Sequence, residues 1–515
     1  MDSSGIISDI KRVYPDEAYM KVTPEAFRDT CLGLHKALQS PVMMLYALDN
    51  RKEHGSFTVE CVFLDAARGL WVVVGSDSPG GKPRFDSIAR DVHSASLFER
   101  EIWEMFGIEP KGNPDLRRLR LHDEIWAHGN YPMRKDFDPD KMEKVRPADY
   151  RFDRVDGPGV FEVPVGPVHA GIIGPGHFRF SSAGEPIINL EIRLGFTHRG
   201  VEKLFEGKDP AEALALSECV AGDSSFAHSL AFTNAAEKIT GITPSAKTAY
   251  LRAIFLELER MYNHVNDIGG MATDVGFSFP AALASIIKET ILQLNEELTG
   301  SRYLKGVNHI GGVSADVGEG QRALLADVLN KVMKDFGELD RILSSSDSFM
   351  DRVDTTGILR RKTAEDLGIV GPYARASGIK IDLRESFPGV YKEAGFEAAS
   401  CGKGDVLARF RVRVSEFAES ARLIRYFMEK VSTGSEGRVA YGGRSGEALG
   451  YAESWRGAVL YRLKTDAGGL IDRCKVVDPS FHNWQGLPYA VLGNIIPDFP
   501  LCNKSFDLSY SGNDL

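Results

Sequence analysis

A chain of 515 residues, 43% hydrophobic and 26% charged, is globular and long enough to build more than one core. Its net charge of -10 excludes nucleic acid as the main partner, because phosphate recognition needs a clustered positive surface. No window reaches the ~18 to 20 continuous apolar residues of a spanning helix, and Met1-Asp-Ser-Ser-Gly-Ile lacks the regions of an export signal. The expectation is a soluble chain that docks on membrane partners. Its six cysteines (Cys31, Cys61, Cys219, Cys401, Cys474 and Cys502) include no Cys-x-x-Cys pair and read as mostly buried hydrophobes.

A first unit spans residues 1–147. Residues 23–38 read as a helix, with Thr23 as N-cap and Pro24 at the first helical position. Strand-like runs follow at 43–47, 57–64 and 70–74, and the Gly-rich stretch from Ser78 is a turn without the spacing of a phosphate loop. Three dense segments close the unit: Phe98-Glu-Arg-Glu-Ile-Trp-Glu-Met-Phe-Gly-Ile108, Asn113-Pro-Asp-Leu-Arg-Arg-Leu119 and Tyr131-Pro-Met-Arg-Lys-Asp-Phe137. By chemistry alone such a mixture of acids, arginines and aromatics is a solvated helix face before it is an inter-subunit surface. Residues 148–163, charged and punctuated by Pro and Gly, read as a linker.

The second unit, 164–515, opens with Gly166-Pro-Val-His-Ala, Gly174-Pro-Gly-His-Phe-Arg179, a hairpin through Pro186, and Phe196-Thr-His-Arg-Gly-Val-Glu-Lys203. Long helices follow. Leu251, Ile254, Phe255, Leu258, Met261 and Val265 form one apolar stripe, and Leu283, Ile287, Ile291, Leu294 and Leu298 repeat it up to Gly300 as C-cap. Stripes at 325–339 and 406–428 complete a four-helix bundle, with short strands and turns after Gly434. The fold class is therefore α+β.

Five histidines (His169, His177, His198, His228 and His264) crowd the start of this unit. A lone histidine is usually a hydrogen-bonded structural residue. His177 stands out because its flanking glycines let backbone approach a ligand while the imidazole exchanges protons, and Asp274 is the candidate to orient it.

The three segments of the first unit resemble the 30-kDa subunit of respiratory complex I and its counterpart in group-4 nickel-iron hydrogenases. The second unit is similar to the complex I 49-kDa subunit and to the hydrogenase large subunit. Its matching motifs run in order through His177, His198, His228, His264, Asp274, Gly311, Arg375, Arg413 and Glu453. The resemblance implies a 30-kDa-like α/β domain fused to a large-subunit-like domain with a central helix bundle and peripheral short strands.

In complex I the positions matching His177 and Asp274 form the proton-donating pair at the quinone headgroup, beside a tyrosine whose position here is Gly222. In the hydrogenases a Cys-x-x-Cys turn before a histidine matches Leu216-Ser-Glu-Cys-Val-Ala-Gly-Asp-Ser-Ser-Phe-Ala-His228, with Ala221 and Ser224 at the cysteine positions. A second cysteine pair matches Ser509 and Gly512. Nickel-iron chemistry needs four thiolates, so no metal is expected at Ala221, Ser224, Ser509 and Gly512.

The resemblance thus implies a catalytic pair, His177 and Asp274, and a pocket of Gly222, Ser224, His228, Arg375, Ser509 and Gly512. Arg375, with Arg409, Arg411 and Arg413, has a second expectation: a buried charge network with Glu257, Glu259, Glu416 or Glu453. No cofactor is expected on this chain. A 4Fe-4S cluster would sit in a small iron-sulfur partner subunit, with antiporter-like and other membrane subunits completing a complex on the cytoplasmic side of the cell membrane. The chain would pass electrons to a quinone or another small acceptor. Alternatively it is a non-catalytic coupling subunit of the same kind of complex, and an active nickel-iron hydrogenase is the third reading. No dinucleotide fingerprint is present, so NAD would belong to the complex.

Overall fold

The computed structural model describes residues 10–142, 145, 148, 150–169, 173–432 and 442–515. The boundary residues 146, 147 and 149 and the stretch around 434 lie outside the described residues. The first unit is a five-stranded sheet of β1 (Lys11–Tyr14), β2 (Glu17–Val22), β3 (Met44–Asn50), β4 (Ser56–Asp65) and β5 (Leu70–Pro79), in the order β1-β2-β5-β4-β3. Among the described strands of this sheet, β2 and β5 alone pair in parallel, because α1 (Pro24–Leu38) carries the chain across the sheet. Thr23 occupies the N-cap in extended conformation, yet its side chain makes no capping hydrogen bond. Strand β5 runs on to Pro79, so the Gly-rich turn starts later than its composition suggests.

The acidic segment folds as α2 (Ser96–Phe106), and it is not a solvated face. Glu99 accepts from the backbone N–H of Ile88 and from Asn113, while Glu104 accepts from the N–H groups of Leu119 and Arg120. Arg100 donates to the Arg117 carbonyl at 2.6 Å. Glu101 pairs with Arg120 and with Lys475 of the second unit. These acids are buried because each meets the specific donors that offset its desolvation.

In the second unit β6 (Val160–Val165), β7 (His177–Ala183) and β8 (Ile187–Arg193) form an antiparallel sheet ordered β8-β7-β6, so the end of the stretch read as linker, 160–163, is strand. The helical body consists of α3 (Ser225–Thr240), α4 (Ala246–Asp274), α5 (Ser278–Thr299), α6 (Glu319–Ser344), the short α7 (Gly371–Ala376) and α8 (Val406–Lys430). Gly300 ends α5 in left-handed conformation, its N–H bonded to the Glu296 carbonyl at 2.7 Å, as the stripe implied. Between α6 and α8, Phe336 and Phe417 stack with centroids 3.8 Å apart.

Helix α4 departs from its single apolar stripe. It lies at the centre of the body and is buried nearly all round, so Glu257, Glu259, Arg260, His264 and Asp267 are also interior. A three-stranded antiparallel sheet, β9 (Gly446–Ser454), β10 (Gly457–Thr465) and β11 (Ile471–Val477), joins the units. Arg462 on β10 pairs with Glu17 and contacts Glu60 and Tyr46 of the first unit. Two short helices, α9 (Phe499–Phe506) and α10 (Tyr510–Asp514), end the chain. Among the described residues no helix is long and apolar enough to cross a membrane.

Phe417 is fully buried against the Phe336 ring. Phe417→Ala is expected to cost about 3–5 kcal/mol through cavity formation, read as a lower denaturation midpoint at unchanged slope.

Candidate functional site

Two turns meet at the head of α3. The first carries Ala221, Gly222, Asp223 and Ser224, and the second runs from Asp507 to Leu515. Arg456, at the corner between β9 and β10, joins them: it grips both Asp223 carboxylate oxygens at 2.7 Å and donates to the Asp507 carbonyl at 2.6 Å. The second turn is also clamped from the Thr197-His-Arg loop. Asp514 accepts from the N–H groups of Gly195 and Thr197, and His198 Nδ1 lies 2.7 Å from the Asp514 carbonyl. The Arg199 N–H donates to the Leu515 carbonyl.

The positions aligned with ligand cysteines carry a methyl group, two hydroxyls and a hydrogen. Ala221 and Ser224 are buried, and the Ser509 hydroxyl accepts from the Gly512 N–H at 2.9 Å. A Cβ on Gly512 would stand 2.6–2.8 Å from the Asp478 carboxyl. Asp478 is in turn held by His228 Nε2 at 3.0 Å and the Ser480 N–H, while His228 Nδ1 meets the Tyr461 hydroxyl at 2.9 Å. Burial alone would raise the Asp478 carboxyl, but its hydrogen bond to His228 and nearby Arg456 bring it below the ordinary value. Neither nearby thiol enters: Cys219 is exposed, and buried Cys502 packs beside Gly357 and Arg409. This donor set does not fit a nickel-iron centre, whose bridges need soft sulfur. Among the described residues no three His, Cys, Asp or Glu side chains gather to hold a metal ion.

Ser224 does not cap α3 with its side chain. Glu259 does so from α4, accepting from the N–H groups of Phe226 and Ala227 at 2.7 and 3.1 Å. Burial still pushes its carboxyl up to about 8, against those two bonds.

His177 opens β7, with Nδ1 3.2 Å from the Gly166 carbonyl and its ring 5.1 Å from that of Phe152. Its Nε2 is buried without a hydrogen-bond partner, and burial lowers its pKa. Asp274 ends α4, its carboxyl raised by burial and by Asp507 and pulled down by Lys504. No hydrogen bond or ion pair among the described residues joins the two directly. Tyr510 stands in that region. Its ring occupies the space a Cβ on Gly174 or Gly176 would need, at 2.7 and 2.8 Å, and its phenol faces Asn503, Asp507 and Lys504. Burial pushes the phenol up to about 12. Sequence reading passed over Tyr510; its place between Ser509 and Gly512 was the available signal.

Gly222, at the family's tyrosine position, is exposed, and a Cβ there would meet nothing within 4 Å. Arg375 does not line this region. It is fully buried, paired with Asp382 at 3.1 Å, Glu416 at 2.7 Å and Glu453 at 3.0 Å, which is the alternative expected for it. Arg413 pairs instead with Asp267, Arg411 with Asp340, and Arg409 donates to Ser505 and two carbonyls. Behind the second turn, a cavity of about 220 Å³ separates the two units, lined by Arg100, Arg120, Leu190, Phe481, Trp484 and Asn513 among others.

Residues 20–143 match the family model of the respiratory-chain NADH dehydrogenase 30 Kd subunit, and 274–441 that of the 49 Kd subunit. The chain is 33% identical to formate hydrogenlyase subunit 5 of Escherichia coli (strain K12) over 481 residues, 92% of this chain and 84% of the relative. It is 30% identical to hydrogenase-4 component G of the same organism over 99% of this chain and 90% of the relative. NADH-quinone oxidoreductase subunit 4 of Thermus thermophilus is 30% identical over 68% of this chain and 92% of the relative. The solved archaeal membrane-bound sulfane sulfur reductase shares the fold, with a TM-score of 0.65 at 24% identity over 69% of this chain and 99% of that one. The chain therefore belongs to the family of complex I 49-kDa and hydrogenase large subunits, with the 30-kDa module fused ahead of the large-subunit fold.

Proposed function

We propose that this chain is the metal-free core subunit of a membrane-associated, complex I-like oxidoreductase complex, seated on its cytoplasmic side. A small iron-sulfur subunit would present its terminal 4Fe-4S cluster to the two turns, and antiporter-like membrane subunits would complete the assembly. The observation that carries the metal-free reading is the Asp478 carboxyl standing where a Gly512 side chain would be. A thiolate there would meet a second anion in a buried site, and the locked His228–Asp478–Ser480 chain offers it no room. Electrons pass to a quinone or another small acceptor that enters over Gly222, where the missing side chain leaves open space. His177, with its orphaned Nε2, and Asp274, with its raised carboxyl, supply protons, and Tyr510, packed on the glycines before His177, shapes that approach.

A second reading, a coupling subunit without chemistry of its own, is favoured by the absence of a hydrogen bond between His177 and Asp274 and by the Tyr510 ring packed against the His177 loop. Both readings require the same partners. Co-purification decides the class: a complex with an iron-sulfur subunit and membrane subunits supports it, and a chain that isolates alone from detergent-solubilised membranes refutes it.

The purified complex is expected to contain far less than one nickel per chain by elemental analysis, and stoichiometric nickel would end the metal-free reading. Gly512→Cys should bind no nickel and should lower stability by about 1–3 kcal/mol through overpacking against Asp478. Within the complex, His177→Gln, Asp274→Asn and Tyr510→Phe are each expected to slow acceptor reduction by about 100-fold or more. Unchanged rates in all three would leave the coupling reading.

A further inference from the structure

Eight ionisable side chains inside the helical body form one closed cluster, each no more than 4% exposed: Glu257, Arg260 and His264 on α4, Arg375 on α7, Asp382 and Arg384 just beyond it, Glu416 on α8 and Glu453 on β9. Arg260 pairs with Glu257, and Arg384 with Glu257 and Asp382. Arg375 binds Asp382, Glu416 and Glu453 together. His264 Nε2 lies 2.8 Å from the second Glu416 oxygen. The cluster holds three guanidinium groups and four carboxyls, with one imidazole. An unbalanced anion buried this deeply is costly even where Arg384 and Glu416 border a surface pocket, so balance favours one further proton.

We propose that this cluster is a proton-loading site, holding one exchangeable proton that resides on Glu453 or on His264. Glu453 and Glu416 each meet two donors, and those of Glu453 are the longer: Arg375 to one oxygen at 3.0 Å and the Leu383 N–H to the other at 3.1 Å, against 2.7 and 2.8 Å at Glu416. Glu257, by contrast, accepts from two arginines and from the Ser420 and Tyr391 hydroxyls. Burial first, and Asp382 second, push the Glu453 carboxyl up to about 7 against the pull of Arg375 and Arg384.

The alternative seat is His264. Its Nδ1 is buried without a partner, and Arg375 Nη2 is likewise unpartnered. Burial holds the imidazole down at about 4, so it is neutral while Glu453 carries the proton. The other charges near it do not supply the missing cation. Arg413 on α8 is paired with Asp267 on α4, and beyond that pair Asp507 faces Lys504 and Arg456. Glu259, one position from Arg260, is bonded to the head of α3. Because Arg375 touches both Glu416 and Glu453, any displacement of its guanidinium changes which seat the proton prefers.

The sign follows from the raised carboxyl. Above the ordinary carboxylate range the folded chain keeps a proton that the unfolded chain has lost. Its contribution to stability is full at low pH and disappears as pH rises through about 7. The uptake draws on water alone and involves no electron, so it stands or falls independently of the acceptor proposed above.

Infrared difference spectroscopy on the full chain, titrated between about pH 5 and 8, tests it. The wild type should gain a protonated-carboxyl band as pH falls through neutrality, and Glu453→Gln should lose that part of it. Glu416→Gln leaves three carboxyls facing three guanidinium groups, so the Glu453 midpoint should fall by about one pH unit or more. Buried Glu60 and Glu259 titrate in the same range, so the variants carry the assignment. An unchanged band in Glu453→Gln, or an unshifted midpoint in Glu416→Gln, would overturn the proposal. Should neither variant fold, absence in the wild type of both a protonated-carboxyl band and an imidazolium band as pH falls would do so alone.

Discussion

The arginine at the corner between β9 and β10 holds the candidate site together. Arg456 reaches a carboxylate on the first turn and a carbonyl on the second, more than two hundred residues away from the one and about fifty from the other. A planar guanidinium with fixed donor geometry suits that task, since one cation satisfies two backbone segments at once. With this lock in place, His228, Asp478 and Ser509 fall into a single hydrogen-bonded arrangement around a position that carries no side chain.

The same economy of buried charge fastens the two units. Glu101 of the first unit meets Lys475 of the second, Glu17 meets Arg462, and Arg120 donates to the Asn513 carbonyl of the second turn. The arginine-rich loop of the first unit thereby supports the second turn directly. Each of these acids would be costly alone in the interior and is stable there because its partner arrives from a distant part of the chain.

The two turns present few groups that could hold a metal, and no hydrogen bond joins His177 to Asp274. Hydroxyl, methyl and hydrogen replace the thiolates, a carboxylate fills the space beside Gly512, and a tyrosine ring packs against the His177 loop. Proton-holding groups nevertheless remain close by. Burial raises the Asp274 carboxyl, Lys504 and Asp507 lie beside it, and the buried charges along α4 continue inward to His264. In a low-dielectric interior such groups respond to one another over several side chains.

Apolar period and motif order were enough to identify the α+β class, the bundle helices and the relation to the family. Leu283 through Leu298 and the Gly300 cap needed only local geometry. Tertiary structure alone decided where the charges went. Glu99, Glu104 and Arg375 look like surface residues one at a time, because burial of a charge depends on a partner that sequence spacing does not reveal. His228 met Asp478 across 250 positions, Arg120 met Asn513 across 393, and Tyr510 came to rest on the glycines before His177. Local periodicity reports which face of an element is apolar; it carries no record of which distant donor will neutralise an acid once the faces close.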